Sequence, residues 1–271
     1  MSWASLGLAC APSRPGPQRA VVAASIFPVY DLARRIAGPG TEVALVLPPG
    51  QMDHRFDPRP QDLARLSGVE LAFGVGLGLD PWLARLLAAA TDGRARVIEL
   101  APALDPTPLP AAVLAMVEGE PHELEAPDGH GGERLAGSAH GPLDPHVFLD
   151  PRRMAAAAPM LAEGLAERLP AGAEGFRARA LQVKAELEAL DGELQARARS
   201  WRRRSIVTFH GSFFYFAERY GLTVAAVVEP LPGREPSPRY VVRVVEAIRK
   251  SGAAAIFTEP QLDQTPARLI A

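Results

Sequence analysis

Three histidines stand where an alternation of strand-like and helix-like segments breaks. His54 lies in the turn PPGQMDHRFDP, His146 in LDPHVFLDP, and His210 closes the apolar run SIVTFH. Imidazole nitrogens converging from three separate segments form a borderline-soft donor set. Such a set suits zinc better than calcium or magnesium, which want oxygen. One such histidine taken alone is more often a packed or hydrogen-bonded core residue. The context shared by the three is what points to a transition-metal site.

The elements that must position them alternate from residue 21 onward. VVAASI is an apolar run of strand length, after which Pro28 opens a helix with the stripe Val29, Leu32, Ala33 and Ile36, ended by Gly-Pro-Gly at 38–40. EVALVL is the next buried strand and leads into the His54 turn. Asp57 is expected to cap, and Pro58 to start, a short helix carrying Leu63 and Leu66. VELAFG reads as a third strand, Asp80 and Pro81 repeat the cap-and-start device before WLARLLAAA, and RVIEL reads as a fourth. Strands and helices in this order specify a parallel sheet with helices on its faces, where ligands sit beyond the carboxyl ends of the strands. His54 follows a strand end, as that rule requires.

Residues 101–145 interrupt the pattern. From Glu118 to Gly141, His122, His130 and His140 stand among Glu118, Glu120, Glu123, Glu125, Asp128 and Glu133, with glycines and almost no large apolar side chains. This reads as a surface loop: either a solvated insertion or a weak collector of zinc, since histidine and carboxylate bind the ion even without fixed geometry. After His146, Asp150 and Pro151 form a third cap-and-start pair ahead of a helix burying Met154, Ala158, Leu161 and Leu165. Phe176, Ala180, Val183, Leu187, Leu190 and Leu194 then form one stripe on a helix of roughly 28 residues, about 42 Å long at 1.5 Å per residue. That is a strut longer than a small domain needs. A second alternating unit follows. SIVTFH is a strand, and the next helix presents Phe213, Phe216, Ala217 and Tyr220 and stops at Gly221. LTVAAVV is a strand, Ser237 and Pro238 start a helix closed by Gly252, AAAIFTEP is a strand ending at Glu259, and a last helix begins near Asp263.

Composition bounds the function. A chain of 271 residues buries at least one large core, and its length allows two domains. With 29 Lys and Arg against 31 Asp and Glu, no basic field recommends nucleic acid or an anionic membrane. No run of 18 or more apolar residues is present to span a bilayer. The opening MSWASLGLAC is apolar and small-residue-rich and is followed by the Pro-rich APSRPGPQR. It reads either as an export-signal remnant ending at the only cysteine, Cys10, a lipid attachment point, or as a frayed terminus, because the charged leader is missing and the apolar stretch is short. A lone cysteine forms no internal disulfide. Three protein ligands plus water is also the arrangement of catalytic zinc, so a zinc hydrolase is the rival class. Against it, the chain has no HExxH helix, GxSxG elbow or phosphate-cradling GxxxxGK loop, and only Asp53 or Glu259 would be left to serve as base.

The segments PPGQMDHRFDPRPQD, DPHVFLDPR, FHGSFFYFAERYGL, PGREPSPRY and IFTEPQ, in this order and with a His-rich acidic loop before the second, resemble the zinc and manganese ABC transporter substrate-binding proteins. These are periplasmic or lipid-anchored receptors of bacteria. The resemblance covers residues 21–271 and implies an α/β fold of two lobes. Each lobe is a parallel sheet flanked by helices, one long rigid helix joins them, and the metal lies in the cleft between. The implied division is a signal remnant or lipoprotein tether at 1–20, a first lobe at 21–170 containing the loop 118–141, a linking helix at 171–200 and a second lobe at 201–271. Carried over by motif position, His54 and His146 are ligands from the first lobe and His210 from the second. Histidine at the third position is the zinc-type pattern and a carboxylate the manganese-type one, so zinc is the expected transported ligand, with a manganese or iron receptor of the same fold as the alternative. The family supplies a further carboxylate from a segment after the EPQ motif, and this chain ends before it. A last strand and helix of roughly 30 residues are therefore expected to be missing. Asp53 and Glu259 are the nearest candidates to complete the tetrahedron, or else to orient an imidazole through its other nitrogen. The implied partner is an ABC permease, the implied place the periplasm or the outer face of the cytoplasmic membrane, and the implied state a monomer that catalyses no reaction and binds no nucleic acid.

Overall fold

Short apolar runs build two parallel sheets in the computed structural model, which describes residues 21–111, 143–230 and 236–270. The expectations for Cys10 and for His122, His130 and His140 lie outside the described residues. In the first lobe β1 (Val22–Ala24), α1 (Phe27–Ala37), β2 (Val43–Leu45), α2 (Pro60–Leu66), β3 (Leu71–Gly74), α3 (Pro81–Thr91) and β4 (Arg96–Glu99) form a sheet of order β2-β1-β3-β4, every pairing parallel. Side chains alternate across it with period two. Val22, Ala24, Leu71 and Phe73 join one core cluster with α1, α4 (Pro151–Arg168) and the first half of α5 (Ala173–Arg199). Ala23 and Ala72 face the other way and join Leu66, Trp82, Leu83 and Leu86 of α2 and α3. Helix α4 lies close on the sheet at Gly164, where a Cβ would stand 2.7 Å from Ile98 Cδ1.

The helix after the His54 turn begins later than the sequence suggests. Asp57 and Pro58 start nothing, because Pro60 follows so closely. A residue preceding proline is driven to extended backbone, and Arg59 sits at φ −95°, ψ 160°. Only from Pro60 does the chain turn helical, with the Asp62 carboxylate accepting from the Arg59 N–H at 2.8 Å. Asp80 occupies the cap position of α3, but its carboxylate reaches back to the end of β3 and accepts from Val75 N–H (2.7 Å) and Gly76 N–H (2.9 Å). Asp150 caps α4 as expected, accepting from Arg152 N–H at 2.9 Å.

Helix α5 is 27 residues long and joins the lobes. Its first half buries Phe176, Ala180 and Val183 against the first lobe, and Arg179 donates to the last carbonyls of α1, Ile36 (2.7 Å) and Ala37 (2.8 Å), which have no partner within their own helix. Its second half departs from the expected stripe. Leu190 is 42% exposed, and the buried positions are Asp191 and Ala198. In the second lobe β5 (Ser205–His210), α6 (Phe214–Tyr220), β6 (Thr223–Glu229), α7 (Pro238–Ser251), β7 (Ile256–Phe257) and α8 (Thr265–Ile270) give a three-stranded parallel sheet of order β6-β5-β7. Val207, Phe209, Ala226 and Val228 pack with Tyr240, Val244 and Ala267 of α7 and α8. The expected strand AAAIFTEP shrinks to two paired residues. Helix α6 buries Phe214, Tyr215, Ala217 and Tyr220, while Phe213 and Phe216 are only half-buried.

Candidate metal centre

His54, His146 and His210 come together at the facing edges of the two lobes, with one potential donor atom from each inside a 4.8 Å span. They arrive by three routes. Beyond β2, Gly50 takes φ 79° and Gln51 N–H donates to Pro48 C=O, which reverses the chain into a short 3-10 turn at Asp53–Arg55. Trp82 Nε1 of α3 donates to the Asp53 carbonyl at 2.6 Å and fastens that turn to the sheet. His146 leads a second 3-10 turn, Val147–Leu149, directly ahead of α4. His210 is the last residue of β5.

The three rings meet edge to face, with centroids 4.9–5.5 Å apart. The Nε2 atoms of His54 and His210 are 3.3 Å apart. Two nitrogens bound tetrahedrally to zinc at 2.0–2.1 Å are separated by about 3.3 Å, so these two already stand at ligand spacing. His146 is 1% exposed and its Nδ1 lies 2.6 Å from Asp144 Oδ1, which leaves Nε2 as the nitrogen for the cleft. Burial, followed by the charge of His210, holds the His146 imidazole well below the usual histidine range despite the opposing charge of Glu259. It is a neutral ring, the form a metal needs.

The two carboxylate candidates occupy different sides of the rings. Asp53 Oδ1 accepts from His54 N–H at 3.0 Å and stands 3.5 Å from His54 Nε2, at the tip of the cluster. Burial raises the Asp53 carboxyl above its ordinary range, against the lowering effects of His210 and of backbone hydrogen bonds. Glu259 Oε1 lies 3.4 Å from His210 Nδ1, on the far side of that ring, and 3.4 Å from Ser212 Oγ, while Oε2 accepts from Gln261 Nε2 at 3.0 Å. Burial alone would push Glu259 up, but the His210 hydrogen bond, the charges of His210 and His146 and the Ser212 hydroxyl hold it below the ordinary glutamate range.

Three contributors were not anticipated from the sequence. Asp144 is 1% exposed, and its Oδ1 accepts from both the N–H (3.0 Å) and Nδ1 of His146. Its placement two residues before the histidine, a spacing typical of Asx turns, was the available signal. Tyr215 and Ser212 carried none.

A two-lobed α/β body with a three-imidazole cluster in its cleft defines a metal-ion receptor of the solute-binding type. The family model described as "Zinc-uptake complex component A periplasmic" matches residues 22–271, and the chain belongs to that family of receptors, which are not enzymes. Among curated relatives, the manganese-binding lipoprotein MntA of Halalkalibacterium halodurans is 27% identical over 237 residues, 87% of this chain and 69% of that protein. The zinc-binding protein AdcA of Streptococcus pyogenes serotype M3 is 24% identical over 251 residues, 92% of this chain but 47% of that protein, so the chain spans about half the length of the streptococcal relatives. A zinc-bound ZnuA deletion mutant superposes with a TM-score of 0.74 at 26% identity, covering 93% of this chain and 86% of that one. FpvC from Pseudomonas aeruginosa in complex with Mn2+ does so with 0.73 at 26% identity, covering 93% and 84%. Among the described residues no helix is long and apolar enough to cross a membrane.

Proposed function

We propose that His54, His146 and His210 are the ligands of a zinc ion, and that the protein captures zinc outside the cytoplasmic membrane and hands it to an ABC permease. The observation that carries this reading is the 3.3 Å spacing of the His54 and His210 Nε2 atoms beside a buried, neutral His146. Three imidazole donors favour zinc over manganese, whose preferred donors are carboxylate, carbonyl and water. Asp53 is the fourth ligand in this reading. Its Oδ1 stands at the Nε2 side of His54, and a bound cation would offset the cost of burying its charge. Glu259, at Nδ1 of His210, orients that imidazole. The names of the relatives fit a periplasmic or lipid-anchored receptor.

A manganese receptor is the second reading, supported by the oxygen donor Asp53 and by manganese-binding relatives at 26–27% identity. The test is to strip the protein with a chelator, offer equimolar zinc and manganese, and measure bound metal after desalting. One zinc per chain, lost in His210→Ala, is expected. Preferential manganese retention would overturn the zinc assignment.

A further inference from the structure

One side chain of the second lobe is also part of the first lobe's core. Tyr215 lies on α6 of the second lobe, five residues after His210, yet it is 2% exposed and sits in the hydrophobic cluster of the first lobe. Its hydroxyl donates to the Asp144 carbonyl at 2.7 Å and accepts from Thr107 N–H at 2.9 Å, while Asp144 N–H donates to Thr107 C=O at 2.8 Å. Burial, only partly offset by the Thr107 hydrogen bonds and the Arg153 charge, raises the phenol above its ordinary range, so it remains a proton donor. Arg153 lies over its ring, 4.6 Å from the centroid, and donates to the Leu104 and Asp105 carbonyls. One turn along α6, Arg219 Nε pairs with Asp150 Oδ1 at 2.6 Å, and its Nη1 lies 3.7 Å from Asp191 of α5. The His146 turn is thus gripped from the second lobe on both flanks, at Asp144 and at Asp150.

The route from one ligand to the other is short. It runs from His210 along five residues of backbone to the Tyr215 hydroxyl, to the Asp144 carbonyl, and from the Asp144 carboxylate to Nδ1 of His146. We infer that Tyr215 is a positioning residue of the metal site, whose hydroxyl sets the spacing of His146 and His210 across the cleft before an ion arrives. A site held at ligand spacing gives up less conformational freedom on binding, so removing the hydroxyl weakens the ion without touching a ligand. This inference rests on the reading of the histidine cluster as a zinc site.

Tyr215→Phe keeps the ring in its core and removes only the hydroxyl. Tyr240→Phe is the matched control, since Tyr240 is also buried and donates to a carbonyl, Val227 C=O at 2.7 Å, but within the second lobe alone. Zinc affinity is measured by competition with a chromophoric chelator, zinc release by transfer to excess chelator, and coordination geometry by the visible absorption of the cobalt(II)-loaded protein. Both variants are expected to lose some thermal stability as apoproteins. Only Tyr215→Phe is expected to bind zinc about tenfold more weakly, as partners of metal ligands commonly do when lost, to release it faster, and to change the cobalt spectrum. Wild-type affinity and spectrum in Tyr215→Phe, or equal losses in Tyr240→Phe, would overturn the inference. Failure of the wild-type chain itself to bind zinc would overturn the reading of the cluster as well, so the two failures are distinguishable.

Discussion

The carboxylate of Asp144 holds both ends of His146: one oxygen stands 3.0 Å from the histidine's amide nitrogen and 2.6 Å from its Nδ1. The acid therefore favours the tautomer with Nδ1 protonated toward it, which puts the ring's lone pair on Nε2, the nitrogen that would bind an ion. Asp144→Ala is expected to weaken zinc binding by about ten- to a hundredfold, the usual cost of losing a ligand's partner. Asp144→Asn, which can still offer a carbonyl oxygen, should lose less. Isothermal titration of both variants checks this order, and an alanine variant binding like wild type would remove Asp144 from the site.

The ligand assignment makes its own demand. Alanine at His54, His146 or His210 is expected to cost at least about tenfold in zinc affinity each, since each removes one bond to the ion. Alanine at His122, His130 or His140 is expected to leave the tight site alone. Titration of the six single variants decides it, with His54→Ala the critical case.

Stability should depend on pH through His146. Its folded pKa is depressed by burial, whereas in the unfolded chain the ring takes a proton near pH 6.5. Between those two values the unfolded state binds more protons, so the apoprotein loses stability as pH falls below about 6.5, by at most about 1.4 kcal/mol per pH unit from this one group. Urea midpoints of the metal-free protein at pH 7.5 and 5.5, compared with those of His146→Gln, test this. The variant's dependence should be shallower.

The two carboxylates should separate by function. Asp53→Asn removes the charge at the Nε2 side of the cluster and is expected to cost more zinc affinity than Glu259→Gln, which still offers His210 Nδ1 an acceptor. Cobalt absorption, sensitive to the donor set, should shift in Asp53→Asn and hold in Glu259→Gln. The reverse order would make Glu259 the ligand.

Removing residues 118–140 is expected to leave the tight site and the melting temperature of the zinc-loaded protein unchanged, because a polar, glycine-rich segment has little apolar surface to bury. Weak additional zinc uptake, measured as stoichiometry at high ion concentration, should disappear. Full stoichiometry in the deletion protein would show that the acidic loop collects nothing.

Most of this architecture is written in local patterns. Apolar runs such as SIVTFH mark buried strands, and the Pro starts and Gly stops mark helices, because these depend only on neighbouring residues. Where the reading went astray, a second interaction had intervened. Pro60 overrode Asp57 and Pro58, the end of β3 claimed the Asp80 carboxylate, and the stripe on α5 broke at Leu190 where the helix leaves the first lobe. Helix α6 illustrates the limit best. Gripped between two lobes, it buries Tyr215 and Phe214 on faces that a single 3.6-residue period cannot assign, so the tyrosine fell outside the face of Phe213, Phe216, Ala217 and Tyr220.

His54 and His210 are 156 positions apart in the chain, yet their nitrogens are 3.3 Å apart in space. An ion bonded to both closes a ring through the whole intervening polypeptide. Helix α5 and the contacts of Tyr215 and Arg219 already tie the lobes together, and the ion would add a further tie across the cleft. Loading is then expected to register as added stiffness. Backbone amides on both sides of the cleft, in β5 as well as in the His54 turn, should exchange with deuterium more slowly together once the ion is bound. A partner sensitive to that damping would tell a full receptor from an empty one.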